Sequence, residues 1–309
     1  MARLLAALAI IWIHAAGTNH STVLARFAVP FFTCVAVLFV VEKGRREPLS
    51  LWPGWSRARA VRLYLPFLAW SAVYLAFKFA KKILAPEQAN DFGGWEILIW
   101  GGAYHLWFLP FILVVSVAVF PVASLAGGNR MLRLGLALLA AAAAGCIAWF
   151  PCPAGWPAGD SALCVWNALP AAAAGCSWGL LARSSRTPGG SKLLGALLGG
   201  TLFIVSMVAL AAWGRCNVLE TAAGLGLGWL AIGWPPMKFP PLLVTLGQLA
   251  YGIYCSHLLF IKIAESMASK LRLEPTPSLE VAIFAVAAVA SAACAWWLSR
   301  FRATRWLVA

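Results

Sequence analysis

Charge is what this sequence has least of. Only 11% of its 309 residues are Asp, Glu, Lys or Arg, against about 25% in a soluble domain. That is too few to cover the surface of a soluble protein of this length. Acids are scarcest, 10 against 24 Lys and Arg. The net charge of +14 and pI near 9.9 would ordinarily suggest a nucleic-acid partner. Seventeen Trp and 62% apolar residues exclude that reading, and they exclude disorder as well. No CxxC pair or Cys/His cluster has metal-ligand spacing, so neither a zinc site nor any other metal is expected. No internal repeat and no cleavable signal is evident, because the first apolar run leads to His14 rather than to a small-residue cleavage site.

What the sequence has instead is long apolar runs, with a mean hydropathy of +0.83. Ten are drawn, at 2–17, 25–41, 60–84, 104–124, 132–150, 166–183, 193–213, 219–234, 242–264 and 277–299. Residues 95–103 (WEILIWGGA) read as a short interfacial or re-entrant piece before the fourth run. The expected fold is an all-α polytopic membrane protein of about ten transmembrane helices, forming one domain over 1–309. With both termini in the cytoplasm, the inner half carries the whole +14 and the outer half is neutral. This is the asymmetry that the positive-inside rule requires.

Of the eight cysteines, most lie within apolar runs as small fillers. Cys152 and Cys164 share an outer loop, where a disulfide and two free thiols are both open.

Ionisable groups inside apolar runs are expensive and commonly functional. His14 ends LLAALAIIWIH, with Arg3 at the other end. Eleven residues is about three helical turns, so both side chains lie on nearly one face, about 16 Å apart along the axis. A topology anchor and an interfacial histidine would give the same pattern. Arg59 and Arg62 sit at i, i+3 where the third run begins, and Arg pairs phosphate bidentately. YHLWFLPF (104–111) places His105 at the outer start of the fourth run, and YGIYCSHLLF (251–260) places Tyr251, Tyr254 and His257 in the ninth. Asn19, His20 and Arg26 occupy the outer segment after the first run. All four histidines therefore fall toward the outer half.

Taken in order, these features resemble the membrane-bound acyltransferase 3 family, which includes O-acetyltransferases of bacterial surface polysaccharides. Arg3 and His14 look like its R-x10-H motif, and Arg59-Ala-Val-Arg62 looks like its RxxR motif. RFAVPFF (26–32), HLWFL (105–109) and YGIYCSH (251–257) look like further family blocks. The resemblance implies an O-acyltransferase of the inner (cytoplasmic) membrane, spanning it many times. An acyl group, usually acetyl, would pass from cytoplasmic acetyl-CoA to a hydroxyl of a sugar or glycan outside. Arg3, Arg59 and Arg62 would hold the CoA phosphates. His14 would act as general base or accept the acyl group covalently, with Tyr251 and His257 assigned to catalysis beside it. Tyr251, Tyr254 and His105 are candidates for the oxyanion. Asn19, His20, Arg26, His105 and Glu96 are assigned to the acceptor, and Asn19, His20 or Glu96 would orient His14. The outer segment 85–103, with Glu87, Asp91, Trp95, Glu96 and Trp100, would cover the acceptor. The alternatives are a multi-pass transporter and a non-catalytic component of polysaccharide export or assembly. Against the transporter, the two halves show no motif symmetry, and no acid lies in the middle of a run.

Overall fold

A computed structural model describes residues 1–17, 20–84, 94–150, 160–182, 189–235 and 237–308. Among them the chain is helical, with no strand. The helices are α1 (Ala2–Ala15), α2 (Ala28–Gly44), α3 (Trp52–Leu84), α4 (Ile97–Trp100), α5 (Phe108–Ala126) and α6 (Arg130–Trp149). They continue with α7 (Asp160–Leu181), α8 (Gly189–Trp213), α9 (Asn217–Gly233), α10 (Pro241–Gln248), α11 (Ala250–Lys270) and α12 (Pro277–Arg300).

Six helical segments are long and apolar enough to cross a membrane: 21–44, 49–83, 104–126, 130–149, 193–213 and 277–300. The pair α10–α11, bent by 74°, makes a seventh if taken as one span. The exposed flanks are apolar, as lipid requires: Leu138, Leu139, Val208 and Val289 are each more than 60% exposed. The other expected runs fold as α1, α7 and α9. At 14 residues, α1 is about 21 Å long, short of a hydrocarbon core of about 30 Å.

The structure lengthens the third run. It was expected to begin at 60, but α3 starts at Trp52 and runs for 33 residues. Arg57, Arg59 and Arg62 are therefore helical, and the preceding link shrinks to a few residues. Within that link Arg45 donates to the carbonyls of Gly179 (2.6 Å) and Ala182 (2.7 Å), at the end of α7. A cation on the carbonyl end of a helix meets the negative pole of its dipole. Part of the basic excess thus has a packing role besides setting orientation.

The main core lies between α1, α2, α3, α11 and α12, around Ile10, Ile11, Phe31, Phe67, Ile253 and Ile261. A second cluster packs α2 and α5 against α7 through Val37, Val41, Phe111 and Ala168. Helices α8 and α9 pack closely where small residues meet. A Cβ on Gly199 would stand 2.7 Å from the Leu230 nitrogen and 2.8 Å from the Gly226 carbonyl oxygen. Small residues at such crossings let backbones approach. Gly199→Val is expected to destabilise the fold by about 1–3 kcal/mol, the usual cost of overpacking. The shift should appear as a lowered melting temperature in detergent, and an unchanged value would contradict the close packing.

Candidate functional site

Three features of the backbone bring the site together. Helix α1 holds Arg3, Ile10 and His14 on one face, as the spacing requires. The break before Ala250 starts α11 inside the protein, so Ile253, Tyr254, Cys255, Ser256 and His257 are all buried in its first two turns. The segment 95–103 does return to the bundle. Gly101 takes φ +90°, and a Cβ there would stand 3.0 Å from the Phe67 ring. Glycine permits that conformation and that approach. The turn then delivers Tyr104 and His105 from the short helical turn Tyr104–Trp107.

The result is a trio of imidazoles. His14 and His257 stack at 5.3 Å between centroids and 23° between planes. His105 stands edge-on to His257 at 4.9 Å and lies 6.3 Å from His14. The members are not equivalent. His257 has no exposed surface and His105 is 3% exposed, whereas His14 is only partly buried. Of the three residues, His14 is the one with appreciable exposed surface.

Hydrogen bonding fixes the tautomer of His257. His257 Nδ1 lies 2.6 Å from the Tyr254 carbonyl oxygen. A carbonyl only accepts, so Nδ1–H donates and the lone pair stays on Nε2, which is buried without a hydrogen-bond partner. His105 Nε2 points to the Cys255 carbonyl at 3.4 Å, and its Nδ1 is buried and unbonded. His14 Nδ1 lies 2.8 Å from the Tyr104 hydroxyl. When Nδ1–H donates to that oxygen, the Nε2 lone pair of His14 is free.

Two tyrosines brace this cluster. Tyr254 donates its hydroxyl to the His105 carbonyl. Tyr74 donates to the Cys255 carbonyl (2.8 Å) and accepts from the Leu259 N–H (3.1 Å). Its hydroxyl thereby bridges an i, i+4 pair of α11 that encloses His257.

Beside the trio is a cavity of about 660 Å³. Arg3, Lys43, Arg59 and Arg62 give it four cations, and Ile10, Leu109, Tyr251 and Tyr254 give it an apolar wall. Arg59 is the most enclosed of the cations. It reaches Ser116 Oγ at 3.4 Å, and its Nε is buried without a partner. Tyr251 lines the cavity beside the Cys255 thiol. None of the three imidazoles lines the cavity. Tyr254 stands between, with its ring 5.5 Å from His105 and 6.0 Å from His257. On α1, Ile10 lines the cavity and His14 comes one turn later, about 6 Å further along the axis.

The structure thus gathers Arg3, Arg59, Arg62 and Tyr251 at the cavity, and His14, His105 and His257 just beyond it. It leaves other sequence assignments apart. Glu96 is exposed at the start of α4, and no hydrogen bond or ion pair joins it to the imidazoles among the described residues. Asn19, the side chain of His20, Glu87, Asp91 and Cys152 lie outside the described residues. Arg26 is within electrostatic reach of His14, but also of Arg215 and Glu220. Among the described residues, no group of three or more His, Cys, Asp and Glu could hold a metal ion.

Tyr104 is the partner of His14 that sequence reasoning missed. Its ring reads as an interfacial aromatic, and nothing in the spacing links it to His14. Tyr104→Phe is expected to lower the rate of the reaction that His14 serves about five-fold, the value of one hydrogen bond. A variant with wild-type rates would remove Tyr104 from the site.

The family model described as an acyltransferase domain matches residues 1–300 of the 309. No curated protein and no solved structure matches the chain. The chain belongs to the acyltransferase 3 family, as a multi-pass helical membrane protein with the family's domain running almost end to end.

Proposed function

We propose that the protein is an integral membrane O-acyltransferase. It moves an acyl group, acetyl in the first instance, from cytoplasmic acyl-CoA to a hydroxyl of an extracytoplasmic sugar or glycan. The observation that carries this reading is the pairing of a four-cation cavity with an imidazole trio one helical turn beyond its wall. Phosphates need fixed cations, and an acyl acceptor needs a base.

Arg3, Arg59 and Arg62 hold the CoA phosphates, with Lys43 beside them. The pantetheine arm lies along Ile10 and Leu109 and brings the thioester to Tyr254. His14 takes the proton from the acceptor hydroxyl. The oxygen attacks the thioester carbonyl, the C–S bond breaks, and CoA leaves as the thiol after taking up a proton. His257 and His105 act as positioning residues, since neither has surface for substrate. Tyr251, in the cavity wall, donates to the developing oxyanion. Ten spans with both ends cytoplasmic place the cations inside and His14 near the outer face. The acceptor then never enters the cytoplasm.

A transporter with the same architecture needs a driving gradient, whereas this reaction needs only a donor. Isolated membranes given radiolabelled acetyl-CoA, with ionophores present to collapse all gradients, should transfer label to a glycan fraction. Label that stays in CoA and free acetate would overturn the reading.

A further inference from the structure

A second polar pocket, sharing no residue with the donor cavity, is lined by Leu163 and Asn167 of α7, by Arg215, and by Asn217 and Glu220 of α9. Its volume is about 290 Å³, at the small end of ligand sites and suited to one ring rather than a chain. Glu220 is only 6% exposed, and its Oε1 accepts no hydrogen bond. The Arg215 Nε is 3.6 Å from that oxygen, an ion pair too long for a hydrogen bond. Asn217 Oδ1 is buried without a partner as well. Arg26 is within electrostatic reach of both Glu220 and His14, and its Nε is buried and unbonded. Buried polar atoms are nearly always hydrogen-bonded, so this set of orphans points to an absent ligand.

The orphans also define its chemistry. Glu220 and Asn217 offer two acceptors, so the ligand must bring donors. An anion would set its charge against the Glu220 carboxylate. A cation would face Arg26 and Arg215. A neutral, hydroxyl-rich ring both donates and accepts, and suits both halves of the set.

We propose that this pocket is a subsite for a neutral glycosyl unit of the acceptor, held by Asn167, Asn217 and Glu220. The proposal rests on the reading of the protein as an O-acyltransferase, and it names the part of the acceptor that does not react. Sequence reasoning placed Arg26 at the acceptor and left Asn167, Asn217 and Glu220 unassigned.

The test uses the full chain in lipid nanodiscs, without acyl donor, and three soluble probes of one ring size. These are methyl β-D-glucopyranoside (neutral), glucuronate (anionic) and glucosamine (cationic). Saturation-transfer-difference NMR reads binding. The neutral glycoside should give the strongest signal. That signal should fall at least about five-fold in Glu220→Ala and in Asn167→Ala, as expected for loss of one hydrogen bond or more, and should persist in His14→Ala. Asn167 lies on a different helix from Glu220, so a folding defect in one variant does not decide the result. No neutral-glycoside signal, a stronger signal from either charged probe, or a signal equal in wild type and both variants would overturn the subsite. Because no donor is present, this outcome is independent of label transfer from acetyl-CoA, which tests the enzyme reading by itself.

Discussion

His14→Ala abolishes acyl transfer in membranes while the protein still inserts and reaches wild-type abundance. The expected loss is about 10²–10⁴-fold, the range supplied by a positioned general base. His105 and His257 are buried, and His14 is the most exposed of the trio. Its Nδ1 is engaged by Tyr104, and with Tyr104 as the acceptor the Nε2 lone pair is left for the reacting hydroxyl. The substitution removes one partly exposed ring from the end of a 14-residue helix, so the fold should tolerate it. Transfer near the wild-type rate would refute the role. Direct proton abstraction and a covalent acyl-histidine both lose activity in this variant. A quenched reaction separates them, since only the second leaves label on the protein.

The paired change Arg59→Gln and Arg62→Gln raises the half-saturating acetyl-CoA concentration by about 10²–10⁴-fold. Each hydrogen bond to a charged group is worth about 1.5–3 kcal/mol, and about 1.4 kcal/mol is tenfold in affinity. Both residues line the four-cation cavity, and Arg59 is held there with an unbonded Nε available to a ligand. Affinity for the acceptor should be unchanged, because neither arginine touches the imidazoles or the Glu220 pocket. Weakened acceptor use with intact donor binding would move the donor site elsewhere. Arg59 alone should account for more of the loss than Arg62, since Arg62 is exposed and its partner contacts compete with solvent.

Much of this site was legible because helices impose a period. Eleven residues between Arg3 and His14 place them on one face, and the structure has that face lining the cavity and then meeting the trio. The i, i+3 pair Arg59 and Arg62 followed from the same rule and also lines the cavity. The start of α3 was not legible, because WPGWSR looks like a link to a hydropathy scan. Charged residues on its solvent side and a Pro at its second position are compatible with a helical first turn. The partners of His14 were not legible either. Tyr104 lies 90 residues away in sequence, and its placement depends on a glycine-permitted turn at Gly101 and on the packing of that turn against α3. The Glu220 pocket was hidden for a related reason. Its acid reads as an outer charge near the end of an apolar run. The burial that makes it informative arises where α9 meets α2 and α7.

Two features change the picture that spacing alone suggested. The pantetheine arm does not run freely to His14, because Tyr254 and Ile10 wall the cavity from the trio. And the partly exposed face of His14 adjoins Tyr104, itself 49% exposed. On the proposed reading, donor and acceptor approach from different directions and meet at Tyr254, the ring between the cavity and the trio.

The most direct test is the acyl content of the cell's surface glycans by mass spectrometry, compared between cells carrying the wild-type protein, cells carrying His14→Ala, and cells without the protein. The account predicts an acyl mass increment on a glycan fragment in the wild type alone. Its size identifies the acyl group and the fragment identifies the acceptor. Equal acyl content in all three, or full acylation with His14→Ala, would contradict it.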